Sequence, residues 1–167
     1  MDEGEAVARA RQLFLDDRNV YGCAETAFVV LKAAFGLPDS ADSSPAMVLN
    51  GGIAYSGGMC GAITGAALAL GILAERRIPD HRLAKQAARR ITARLMADFE
   101  AEHGAVDCRA LTGMDLRTEA QHRAFIDSGL WRGRCMRQVE FAVRALAPLA
   151  SEAAWTQALR ELARSER

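Results

Sequence analysis

The side chains of this 167-residue chain best suited to chemistry are its four cysteines, Cys23, Cys60, Cys108 and Cys135. They lie 37, 48 and 27 residues apart, so no CxxC pair exists. Zinc ribbons, thioredoxin-type motifs and bacterial ferredoxin runs need close pairs, and haem attachment needs CxxCH, so these local signatures are absent. Thiols that work together here must be gathered by the fold. The chain opens Met1-Asp2-Glu3-Gly4-Glu5, acidic where a secretory leader carries positive charge followed by an apolar run. Cysteines without such a leader lead us to expect a reducing, cytoplasmic setting, in which thiols stay free, bind metal or cycle.

Each cysteine falls at or just before an expected helix start: Cys23 after Gly22, Cys60 after Gly57-Gly58-Met59, Cys108 after Asp107, and Cys135 after Arg132-Gly133-Arg134. Helix N-termini carry unpaired N–H groups and a partial positive charge, which favour thiolate, the form that ligates metals and attacks disulfides. Cys23 and Cys135 also fall on the inward stripes of their helices. Buried cysteine is equally at home as a small apolar filler. Other residue types offer less. His81, His103 and His122 have no helical spacing to one another or to a cysteine, and surface or capping roles suit them. Asp115, Glu119 and Asp127 form no paired-carboxylate pattern. Ser56 lacks the GxSxG elbow, and the Gly-rich stretch 51–65 has neither a preceding strand nor the lysine of a phosphate loop.

The elements that must position the thiols read as helices almost throughout. Apolar residues recur at Ala6, Ala10, Leu13 and Phe14, then at Ala27, Val30, Leu31 and Ala34, giving each helix one inward face. Gly36 to Ser40 ends the second helix, and 46–55 is ambiguous between helix and irregular structure. Gly61, Gly65 and Gly71 sit in an uncharged helix ending near Ala74, where glycine is costly unless a backbone or cofactor comes close. Gly61 and Gly65 are thus candidates for close approach to a cofactor, or for helix contact within or between subunits. A long helix over 80–102 ends at Gly104, a short turn holds Cys108, and another helix runs from Thr118 to about Ser128. Cys135, Val139, Ala142, Leu146 and Leu149 form one stripe weakened by Pro148, and Ser151 caps a helix over 151–165 that can dock on the bundle or on a second copy in a homodimer.

No strand alternation, repeat or linker divides the chain, so the expectation is an all-α, single-domain helical bundle with a Gly-rich central helix, spanning 1–167. Half the residues are apolar and 21 Lys+Arg balance 21 Asp+Glu. Zero formal charge gives nothing to hold nucleic acid or acidic lipid. Residues 43–74 lack formal charge but contain seven glycines, and their helical part is too short to span a bilayer, so no membrane span is expected.

At Cys60-Gly61-Ala62-Ile63-Thr64-Gly65 the chain resembles the redox-active protein family defined by four cysteines and a CGAxxG motif. The likeness extends to 19–27 around Cys23, to the Gly-rich block 51–71, to 99–116 with its HGAVDCRALTGMDL run, and to 128–143, covering about 6–146. Met136 stands where members often have proline, and the helix after Pro148 is an addition. The resemblance implies an all-α domain and a redox role for the four thiols. The family is similar to the C-terminal part of split-Soret cytochromes, where an iron–sulfur cluster is bound. On that footing Cys23, Cys60, Cys108 and Cys135 are expected to ligate a [2Fe–2S] or [4Fe–4S] cluster that exchanges electrons with a redox partner. Arg109, Arg132, Arg134 and Arg137 would offset its negative charge. The alternatives are thiol–disulfide chemistry without metal, and a structural zinc or plain helical interaction module.

Overall fold

Described over residues 1–164, the computed structural model is all-α, and its centre is the crossing of two helices. α2 (Cys23–Ala34) packs against α1 (Glu3–Phe14), α3 (Gly61–Arg77) and α7 (Met136–Leu146). The spacing of its apolar residues predicts one inward face, yet Ala24 to Lys32 are all buried because neighbours cover it all round. That enclosure takes Glu25 and Lys32 out of water, which is tolerable only if each charge finds partners. Lys32 Nζ donates to the carbonyls of Asp39 at 2.6 Å and Asp42 at 3.2 Å and stands 4.7 Å from the Phe28 ring centre.

Glycine makes the α2–α3 crossing close. A Cβ on Gly65 would collide with the Ala24 carbonyl, and one on Gly61 would come within 2.5 Å of Cys23 Sγ. The GxxxG pair therefore serves a contact inside the chain. Gly71 has open space beside it, so nothing approaches there and the expected reason for a glycine fails at that position.

α4 (His81–His103) packs on α3, starting where the Asp80 side chain accepts from the Leu83 N–H at 2.9 Å and stopping at Gly104 with φ 83°. The short α5 (Cys108–Thr112) and α6 (Glu119–Asp127, capped by Thr118) follow. A π-helical turn, Trp131–Cys135, then runs without a break into α7. Pro148 ends the α-helical stripe, leaving a 3-10 turn over Ala147–Ala150. α8 (Glu152–Arg164) is capped by Ser151 Oγ and docks on the bundle through buried Trp155. Arg77 fixes the joint, donating to the carbonyls of Leu149 at 2.7 Å and Ala150 at 2.6 Å. Residue 165 of the expected last helix lies outside the described residues. Among the described residues no helix is long and apolar enough to cross a membrane.

The two helical glycines should respond oppositely to alanine. Gly65→Ala is expected to lower stability by about 3 kcal/mol through overpacking, whereas Gly71→Ala should raise it by about 1 kcal/mol through helix propensity. Urea unfolding of both variants checks the pair.

Candidate redox site

Three local devices bring the thiols to one end of the bundle. The first is the α2–α3 crossing, which lays Cys23 Sγ against Gly61, the residue after Cys60. The second is a short antiparallel staple. Cys60 N–H donates to the Val106 carbonyl at 2.8 Å, Cys108 N–H to Gly58 at 2.7 Å and Arg109 N–H to Gly57 at 3.0 Å, around a single bridge between Met59 and Asp107. Cys60 and Cys108, distant in sequence, thereby enter their helices side by side. The third is the π turn, which carries Cys135 inward, 8% exposed. Such turns often mark functional positions in helices.

Cys23, Cys108 and Cys135 line one cavity of about 80 Å³ whose walls include Phe14, Asn50 and Trp131. Cys60 sits behind them, buried, its thiol 3.7 Å from Gln138 Oε1. All four cysteines are free; Cys23 is half-buried and the others are buried. Tyr55 and His122 stand at this cavity with ring centres 4.5 Å apart. His122 thus belongs to the thiol site, not to the plain surface expected for it. His81 does lie on the surface, 2.8 Å from Glu75, and His103 packs against Phe99 and Phe141.

Asn50 and Glu25, which the sequence reading did not single out, hold Cys23 in place. Asn50 Oδ1 accepts from the Ala24 N–H at 2.9 Å and lies 3.8 Å from Cys23 Sγ. Its Nδ2 donates to Glu25 Oε2 at 2.9 Å. Glu25 also accepts from the Gly22 N–H at 3.0 Å and from Ser43 Oγ at 3.0 Å, so the buried carboxylate is fully engaged. The Glu three residues after Gly22, at the start of a helix, was a readable sign of this backward reach.

The ambiguous stretch 46–55 resolves into a 3-10 turn, Ser44–Leu49, followed by five successive residues with left-handed backbone. Their φ values are 65° at Gly51, 76° at Gly52, 64° at Ile53, 48° at Ala54 and 59° at Tyr55. Three of these carry a Cβ, and each such residue costs about 1–2 kcal/mol in this region. The strain sits where the chain delivers the Gly51 N–H toward Cys23 and the Tyr55 ring to the cavity, the sort of place where strain is retained. Gly52 lies flat against the backbone of Gly58, leaving no room for a side chain.

Electrostatics reverse the thiolate expectation. Burial pushes Cys23 upward, against the opposing pull of the N–H groups of Gly51, Ala24, Cys23 itself and Gly61. Cys60 is raised well above the usual thiol value, first by burial and then by its closeness to Cys23, Cys108 and Cys135. Cys108 is pushed up to about 12 by burial and by Cys23. Cys135 rises for the same reasons, with Arg134 opposing. Helix N-termini are present, but desolvation and mutual repulsion outweigh them. Of the four expected arginines only Arg134 acts on a thiol in this way. Arg109 pairs with Asp115 at 2.9 Å, Arg132 pairs with Asp17 at 2.8 Å, and Arg137 lies elsewhere, on a second cavity.

As they stand, the described residues contain no group of three or more His, Cys, Asp or Glu side chains arranged to hold a metal ion. The four thiols nevertheless feel one another's charge, and the atoms beside Gly61 and Gly65 belong to α2.

The family described as "Putative redox-active protein (C_GCAxxG_C_C)" matches residues 21–149, so all four cysteines fall inside the match and this chain belongs to that family. No curated protein and no solved structure matches the chain.

Two outcomes follow from this geometry. In reduced, metal-free protein the raised thiols stay neutral while those of the unfolded chain ionise above the usual value near 9. Stability should therefore be flat below about pH 9 and fall as pH rises toward the folded-state values. Cys108→Ser should make that fall shallower, as read by urea midpoints at successive pH values. Ile53→Gly removes left-handed strain from a side chain that is 54% exposed and is expected to raise stability by roughly 1 kcal/mol; an unchanged or lower urea midpoint would contradict the strain assignment.

Proposed function

We propose that this redox-active family member uses Cys23, Cys60, Cys108 and Cys135 to hold an iron–sulfur cluster and pass electrons to a protein partner. The observation that carries the reading is the convergence of four free cysteines from four separate elements on one apolar end of the bundle. Four thiols are a donor set suited to a [2Fe–2S] or a [4Fe–4S] cluster. Ligation also answers the electrostatics, since a bound metal deprotonates its thiols outright and supplies the positive charge that this pocket lacks. When bound, the cluster supplies a one-electron couple. The chain's own part is to exclude water with Phe14 and Trp131, to direct the N–H groups of Gly51 and Gly61 at Cys23, and to orient Cys60 through Gln138. Electrons would enter beside Tyr55 and Ile126, the exposed apolar residues lining the cavity.

The same electrostatics count against thiol–disulfide chemistry. A thiol–disulfide enzyme needs an accessible thiol of low pKa, and all four are raised.

The test is anaerobic reconstitution with iron and sulfide of the parent chain and of four single Cys→Ser variants. The parent should gain visible absorbance with matching iron and sulfide, and each variant should lose most of it or bind a visibly altered centre. Equal absorbance in all four variants would overturn the proposal.

A further inference from the structure

Behind Cys60, on the far side of Gln138, lies a second cavity of about 510 Å³ that the redox reading does not use. Its walls carry Arg134, Arg137, Arg144 and His103. Two carboxylates also face it. Glu140 is paired with Arg11, leaving Glu102 as the uncompensated acid among the lining residues. Arg134 donates to the Leu111 carbonyl at 3.0 Å, and Arg144 stands 3.6 Å from Glu3. Arg137 makes no hydrogen bond or ion pair with any described residue.

Deeper in the cavity the same imbalance recurs. Gln138 is 3% exposed and lines the wall; its Oε1 faces the Cys60 thiol, while its amide nitrogen has no partner among the described residues. His103 Nε2 is buried without a hydrogen-bond partner, its ring held between Phe99 and Phe141, and on the same wall Glu140 Oε1 has only its ion pair with Arg11. Arg137 and the Gln138 amide thus turn unused donors to one cavity, and His103 Nε2 adds a third in the tautomer that carries its proton there, so the set calls for an acceptor. The acceptor that suits a guanidinium together with an amide and an imidazole is an oxyanion.

From this donor set we infer that the cavity is a binding site for a small oxyanion, a carboxylate or a phosphate, held by Arg137, Gln138 and His103 with Arg134 and Arg144 at its rim. Gln138 joins this site to the thiol site, because one amide group faces Cys60 with its oxygen and the cavity with its nitrogen. The inference does not depend on a metal at the cysteines.

Calorimetric titration of the reduced 167-residue chain with inorganic phosphate, and separately with succinate, tests it. Saturable one-site binding of at least one anion is expected, and Arg137→Ala, at an exposed position, should weaken it by about tenfold while leaving the urea midpoint unchanged. Gln138→Met should weaken it too. The tighter of the two probes identifies the oxyanion as tetrahedral phosphate or planar carboxylate. No saturable binding of either probe, or binding that Arg137→Ala leaves intact, would overturn the site.

Discussion

Where α2 and α3 cross, their backbones meet with no side chain between them, because Gly61 and Gly65 offer none. The geometry of the thiols descends from that contact. It lets Cys23 Sγ occupy the space that a Cβ at position 61 would fill, immediately beside the Cys60 position. It also forces α2 so deep into the bundle that Glu25 and Lys32 must be satisfied without water. Glu25 finds Asn50, Ser43 and the Gly22 N–H, and Asn50 in turn fixes the start of α2. A packing requirement in the core thus becomes a positioning network at the site.

The second constraint is electrostatic. Four thiols in one apolar region cannot all ionise, because burial and neighbouring sulfurs both oppose charge. Such a group can remain protonated, or it can give up its protons to a cation that enters among them. The strained left-handed run at 51–55 bears on the same site, since it brings both the Gly51 N–H and the Tyr55 ring to Cys23. Stability has been given up there for position, and the rest of the bundle, with its capped and well-covered helices, carries that cost.

Much of this was legible in the residues. Helical periodicity located the long helices, and Asp80, Gly104, Thr118 and Ser151 marked ends that the structure shares. The cysteines and their glycine neighbours were visible as the place to look, and the family match spans them. What stayed hidden was tertiary. Five left-handed residues cannot be read from two glycines followed by Ile53, Ala54 and Tyr55, since those three side chains prefer other backbone regions. Asn50 and Gln138 are ordinary polar residues until the fold sets them against Cys23 and Cys60. The thiol electrostatics were misjudged for the same reason: a helix start is local and visible in sequence, whereas burial and the nearness of other sulfurs exist only after folding.

The central proposal is that these four thiols serve as ligands of an iron–sulfur cluster. It is tested most directly by the iron and acid-labile sulfide content of the chain purified without oxygen, measured beside its visible spectrum. Iron and sulfide in matching, stoichiometric amounts, with broad visible absorbance that bleaches on reduction, is the expected result. A colourless protein without iron or sulfide, whose four thiols all titrate as free, would contradict it, as would stoichiometric zinc alone.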